Sequence, residues 1–282
     1  MKKLLLFAVA MCFSIALQAQ VATPQPSPFS KVEQKVGLTD ITLEYSRPGV
    51  KERTVFGDLV PYGKLWRTGA NKNSVITFSD DIVFNGKPVE AGSYAIFTTP
   101  GESLWEFVLY SDTENWGTPQ KWDESKVAAI VKARAFPVPF SVETFTLDIN
   151  QITNTSATLE LIWEKTYVAV TIEVPTDSKV MKSIDSTLSG TPTGNDYYAA
   201  AVYYLQENKN INKAKEWVDK AMSMSDNPRF WQLRQQSLIY AKAGDTKGAI
   251  EIAKKSLAGA KEAENEDYVK MNKDSLKEWG AL

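Results

Sequence analysis

Two patterns of apolar and polar positions divide the chain. From about residue 30 to 174, apolar residues recur at every second position in short runs bounded by turn residues, the period of strands with one face in a core. Ile41, Leu43 and Tyr45 share one strand face, and Thr42 and Glu44 the other. Phe145, Leu147 and Ile149 alternate with Thr146 and Asp148, and Ala157, Leu159, Leu161 and Trp163 with Thr158 and Glu160. Val168, Val170, Ile172 and Val174 complete the set. Ile82-Val83-Phe84 before Asn85-Gly86 predicts a hairpin whose turn takes positive φ. A second hairpin is predicted from Tyr94 to Tyr110 across Pro100-Gly101, with Trp105 in the core because it alternates with Phe107 and Leu109. Glu90 to Tyr94 is compatible with a tyrosine corner, in which the phenol bonds a nearby backbone group. No helical period interrupts these runs, so the strands pair antiparallel and the simplest burial is an all-β antiparallel sandwich.

After Pro175 the pattern changes. Residues 176–194 are polar and hold Gly190, Pro192 and Gly194, which reads as a linker. Beyond them the apolar period is helical, over 197–207, 211–224, 229–242 and 246–262, with a further helix over 266–279. The segment repeats at a spacing of about 35 residues, pairing Leu205 with Tyr240, Lys209 with Gly244, Ala214 with Ala249 and Trp217 with Ile252. Helix-turn-helix units of this length resemble the tetratricopeptide repeat, which implies a surface for peptides or protein partners. The Trp-Leu-Gly opening of that repeat is absent from both units.

The first residues have a different character. Lys2-Lys3 precede an apolar run from Leu4 to Leu17, and Ala19 stands before Gln20, the layout of a secretory signal cleaved between Ala19 and Gln20. The run is shorter than the roughly 20 residues a spanning helix needs. The expected organisation is a signal peptide over 1–19, a proline-rich linker over 20–29, a sandwich over 30–175, a linker over 176–194 and a helical region over 195–282. The mature chain is expected to be exported, periplasmic or secreted, without a membrane span.

Composition then narrows the chemistry. The chain has no histidine and a single cysteine, Cys12, inside the signal, so an imidazole base, a His-ligated metal and a disulfide are all excluded from the mature protein. With 32 Lys and Arg against 34 Asp and Glu, the balance lacks the basic face a nucleic-acid partner requires. No phosphate-binding loop, nucleophile elbow or metalloprotease motif occurs, and no cofactor or metal is expected. A carboxylate pair can hydrolyse a glycoside without histidine. Glu160, Glu164 and Asp80-Asp81 fall where solvent-facing or turn residues belong, so no catalytic residue is assigned.

The charge is uneven. Between Arg47 and Lys72 lie Arg47, Lys51, Arg53, Lys64, Arg67 and Lys72 against only Glu52 and Asp58. Two readings are open for these cations. They tie a long loop down by bonding carbonyls and acidic neighbours, with Trp66 filling the core, or they receive an anion, since a guanidinium matches carboxylate or phosphate oxygens bidentately. Asn71 and Gly69 bring backbone N–H groups toward such an anion. Trp116, between Asn115 and Gly117, offers an exposed ring for a sugar or planar ligand. The candidate ligand-binding residues are therefore Arg47, Trp66, Arg67, Asn71 and Trp116.

The segment from Phe56 through Trp66-Arg67-Thr68-Gly69-Ala70-Asn71, with Ala91 to Phe97, Thr99-Pro100-Gly101, Trp105 and Asn115-Trp116-Gly117, resembles the bacterial family named Domain of Unknown Function 2911. The resemblance covers about residues 30–174, implies an exported protein, and brings no activity, cofactor or substrate. The resulting expectation is a sandwich whose loops hold an anionic or sugar-like ligand and a helical tail that holds a protein partner. The alternative is a metal-independent hydrolase of an envelope glycan working through carboxylates.

Overall fold

The computed structural model describes residues 23–282; the expected signal segment, with Ala19 and Gln20, lies outside them. The described residues divide into two compact units, one ending at Thr176 and one spanning Asp177–Leu282.

The first unit is a nine-stranded antiparallel sheet. Its strands are β1 (Phe29–Val36), β2 (Thr39–Ser46), β3 (Val75–Phe78), β4 (Ile82–Phe84), β5 (Lys87–Val89), β6 (Gly92–Thr99), β7 (Leu104–Tyr110), β8 (Val127–Asn150) and β9 (Ser156–Glu173), in the spatial order β1-β2-β3-β6-β7-β8-β9-β4-β5. Both expected hairpins form, and Asn85 and Gly86 take φ of 44° and 83° in the turn between β4 and β5. Tyr94 donates its phenol to the carbonyl of Glu90 at 2.9 Å.

The sandwich is one sheet folded over. The first part of β8 pairs with β7, as in Trp105 opposite Ala133, and the last part pairs with β9, as in Leu147 opposite Leu161. Register shifts between Pro137 and Thr146 interrupt the β8–β9 ladder, and bulges of this sort bend a strand. The bend brings β2 against the end of β8 although three strands separate them in the sheet. Tyr45 meets Phe145 edge to face with centroids 5.9 Å apart and donates to the carbonyl of Leu147 at 2.7 Å. The enclosed core holds Trp105, Phe107, Phe145 and Trp163, all essentially without exposure, each contributing about 1.5–3 kcal/mol by burial.

The second unit is helical. Among the described residues it contains α1 (Thr176–Leu188), α2 (Gly194–Gln206), α3 (Ile211–Ser223), α4 (Phe230–Lys242), α5 (Thr246–Glu262) and α6 (Glu266–Glu278). Helix α1 corrects the reading of 176–194 as a linker. Val180, Ile184 and Leu188 stand four apart and pack into the helical core, a stripe narrow enough to be outweighed by the serines, threonines and lysines around it. Three turns repeat one device. A residue at positive φ (Asn208, Gly244, Glu264) is followed by an N-cap (Asn210, Asp245, Asn265) whose side chain accepts from the N–H three residues on, at 2.9–3.1 Å. The positive-φ positions show that Gly244 corresponds to Asn208 rather than to Lys209, because the first turn carries one extra residue. Ala214 and Ala249 are fully buried. Among the described residues no helix is long and apolar enough to cross a membrane.

Candidate functional site

The site is built on the connection between β2 and β3, residues 47–74. Such a connection is well beyond the roughly 12–15 residues usual without secondary structure, a length associated with function. It is laced to the sheet along its course. Val50 donates to the carbonyl of Glu143 at 2.8 Å, Gly63 donates to that of Pro100 at 2.8 Å, and Trp66 and Thr98 exchange two backbone bonds at 2.8 and 2.9 Å.

This fixed path imposes unusual backbone geometry. Thr68, Gly69 and Asn71 take φ of 54°, 139° and 60°, and for a β-branched residue such as Thr68 positive φ is a genuine outlier. Thr68 is held there by contact between its Oγ1 and that of Thr98 at 3.0 Å, and by Ser74 donating to its carbonyl at 2.5 Å. Conformations of this kind cost about 1–3 kcal/mol and persist where the surroundings over-determine them.

Trp66 closes an aromatic floor. It stacks on Trp163, 5.9 Å between centroids at 16°, and meets Phe56 and Phe145 edge to face at 6.0 and 5.4 Å. Above this floor lies a cavity of about 420 Å³ whose wall carries Lys51, Arg53 and Arg67; none of its lining residues is acidic.

The cations of the connection have different fates. Arg47 donates from Nε to the carbonyl of Phe145 at 3.1 Å and from Nη2 to Thr146 Oγ1 at 2.7 Å. Arg53 donates to the carbonyls of Val50 and Gly49 at 2.9 and 2.8 Å, and Lys72 pairs with Glu114 at 2.8 Å. These three tie the loop down. Arg67 differs: its Nε is buried and has no hydrogen-bond partner among the described residues. A Cβ built on Gly117 would lie 3.4 Å from Arg67 Nη1, so the guanidinium reaches the turn that carries Trp116.

Asn71 and Trp116 line a separate cavity of about 400 Å³ together with Gln25, Phe29, Glu44 and Lys72. The five candidate residues are thus distributed. Trp66 and Arg67 share the first cavity, Asn71 and Trp116 share the second, and Arg47 lines neither. Three residues that matter were not among the candidates. Trp163 supplies the floor, and Lys51 and Arg53 supply charge. A fourth, Asn73, is buried and fastens the Trp116 turn: it donates from its backbone to Asn115 at 3.0 Å and from Nδ2 to Gly117 at 2.9 Å, and accepts from Asn115 at 3.2 Å. Its place in Asn71-Lys72-Asn73 was the only sequence signal.

The carboxylates weighed for catalysis are engaged in the fold. Burial works against ionisation of Glu160, but hydrogen bonds from Asn150, Tyr167, Thr158 and Gln151 outweigh it and hold its carboxyl below the ordinary range. That is the wrong direction for a general acid at neutral pH. Beside it the Tyr167 phenol is pushed up to about 12, by burial and then by its bond to Glu160. Glu164 accepts from the N–H of Val55 at 3.1 Å, Asp80 from Thr39 at 2.8 Å and Asp81 from that of Ala91 at 2.8 Å. Among the described residues no group of three or more carboxylates is arranged to hold a metal ion.

Residues 27–172, more than half of the chain, match the family described as "Protein of unknown function (DUF2911)". The chain belongs to the DUF2911 family. The DUF2911 region ends within β9 and contains the whole β2–β3 connection and all but one lining residue of each cavity, Pro26 of the first and Gln25 of the second. No curated protein and no solved structure matches the chain.

Proposed function

We propose that this DUF2911 protein is an exported binding protein whose sheet unit holds a small anion, a carboxylate or a phosphate, in the Arg67 cavity. The observation that carries the reading is the buried, unpartnered Arg67 Nε. A buried donor left without an acceptor costs about 1–3 kcal/mol, and an oxyanion in the cavity supplies that acceptor when the side chain turns to meet it, while the guanidinium fork engages a second oxygen. Lys51 and Arg53 add positive potential to the same wall, and no acidic lining residue opposes it. The volume falls in the range of small-molecule sites. Export rests on the signal pattern before Gln20. Hydrolysis of a glycan by paired carboxylates draws no support from this cavity, whose lining contains no carboxylate.

Thermal unfolding with inorganic phosphate or acetate tests the reading, in the protein and in Arg67→Met, which keeps the aliphatic stem. At 100 times its Kd an anion adds about 2.7 kcal/mol. We expect the stabilisation in the protein and its absence in Arg67→Met, with the unliganded variant at least as stable as the parent because a buried unpaired donor is gone. Equal stabilisation of both proteins refutes the anion site. A variant that is markedly destabilised instead assigns Arg67 to the fold.

A further inference from the structure

Two large aromatic side chains stand in solvent at the mouth of the second cavity. Trp116 is 75% exposed and Phe29 64% exposed, and both line the same space of about 400 Å³. Solitary exposed aromatics are ordinary on a protein surface; two that line one cavity are a different matter, especially when one is carried on an anchored turn. Asn73 holds that turn through three hydrogen bonds, and the Lys72–Glu114 pair closes on it from the side. Gly117 follows at φ 136°, with Arg67 Nη1 3.4 Å from where its Cβ would stand. The turn carrying the indole is thus ordered before any ligand arrives, which removes part of the entropic cost of binding.

Between the rings the polar groups are mixed. Asn71 Nδ2 is committed to the carbonyl of Ser27, to Ser46 Oγ and to Gln25 Oε1. This leaves Asn71 Oδ1 as an acceptor and Gln25 Nε2 as a donor. The Glu44 carboxylate lines the cavity and forms no ion pair or side-chain hydrogen bond among the described residues, whereas the Lys72 charge is already met by Glu114. An anion is therefore opposed here by Glu44. The fitting ligand is uncharged, has an apolar face for a ring to cover, and bears groups that both donate and accept.

We propose that the cavity between Phe29 and Trp116 is a second binding site, for a ring of a neutral saccharide. The C–H face of the sugar lies on the Trp116 indole, and its hydroxyls reach Glu44, Asn71 and Gln25. The site does not depend on the anion reading, since Arg67 contributes to it no group that touches the sugar.

Saturation-transfer NMR and affinity titration with maltotriose, cellotriose and tri-N-acetylchitotriose test the proposal on the intact protein. Transfer to the ring protons of at least one of them is expected, and the affinity should weaken about tenfold or more in Trp116→Ala and in Phe29→Ala. Both side chains are exposed, so the melting temperature of each variant should match the parent. Saturating inorganic phosphate should leave the sugar affinity unchanged, which separates the two sites. Three results overturn the proposal: no transfer to any of these sugars, binding that survives both aromatic substitutions, or Trp116-dependent binding of adenosine in preference to every sugar.

Discussion

The two units bury different side chains. The sheet unit closes around Trp105, Trp163, Phe78, Phe84, Phe107 and Phe145, whereas the fully buried apolar positions of the helical unit are largely alanines, among them Ala201, Ala214, Ala249, Ala253 and Ala260. The difference follows from geometry. Two sheet layers lie about 10 Å apart and need long rings to span the gap, while helices that meet through small residues let their backbones approach. The sheet unit should therefore be intolerant of shrinkage and the helical unit of enlargement. Only the first strategy gives a stacked floor like that of Trp66 and Trp163, on which a loop can be laid to enclose a cavity.

The largest expected effect lies in the sheet. Trp163→Ala should cost about 3–5 kcal/mol, read by urea denaturation followed in the near-ultraviolet circular dichroism of the aromatic cluster. A loss below about 1 kcal/mol, little more than an ordinary surface change, would show that the sheet core tolerates shrinkage. The converse test is Ala249→Leu, expected to cost about 1–3 kcal/mol by overpacking. Faster amide exchange should then appear in α4 and α5 and spare the β6–β7 hairpin. If the leucine is accommodated at no cost, the helical core is looser than its buried alanines indicate.

The smallest expected effect lies at the surface of the sheet unit. Hydrogen bonds and charge from Lys72 hold the Glu114 carboxyl below its ordinary value of 4.5, and those from Lys126 hold Asp112 below 3.8. Both groups have depressed values in the folded state. Their contribution is thus complete above the ordinary carboxylate values and disappears as pH falls through the lower native ones. The indole N–H resonance of Trp116 should accordingly stay constant from neutral pH down to those ordinary values and shift only in more acidic solution. A shift that is complete near neutrality would show that neither pair restrains the turn.

Strand alternation was legible because each face of β2, β8 and β9 obeys a single environment, and the Asn85-Gly86 turn because its φ values admit few other residues. The connection was legible only in part. Its excess of cations is visible in the sequence, but Arg47 and Arg67 are the same residue type and differ solely in whether a carbonyl stands within reach. That is decided by Phe145, far along the chain. Asn73 was hidden for the same reason, since the atoms it binds belong to Asn115 and Gly117. Helix α1 was obscured by its polar majority. The uninterrupted course of β8 was obscured by Pro137 and Pro139, which lie beside the register shifts where an extended strand tolerates them.

The folding-over of β8 also bears on the order in which the chain is made. Strands β1, β2, β3, β6 and β7 emerge first and pair as neighbours, yet the rings on their inner face have nothing to close against. The bond from Tyr45 to Leu147 spans 102 positions, and the hairpin β4–β5 finds its strand partner only in β9. Sequestration of the core must therefore wait until nearly all of the sheet unit is present to fold. Until then a half-built meander carries an uncovered apolar face, the kind of species that aggregates or engages a chaperone.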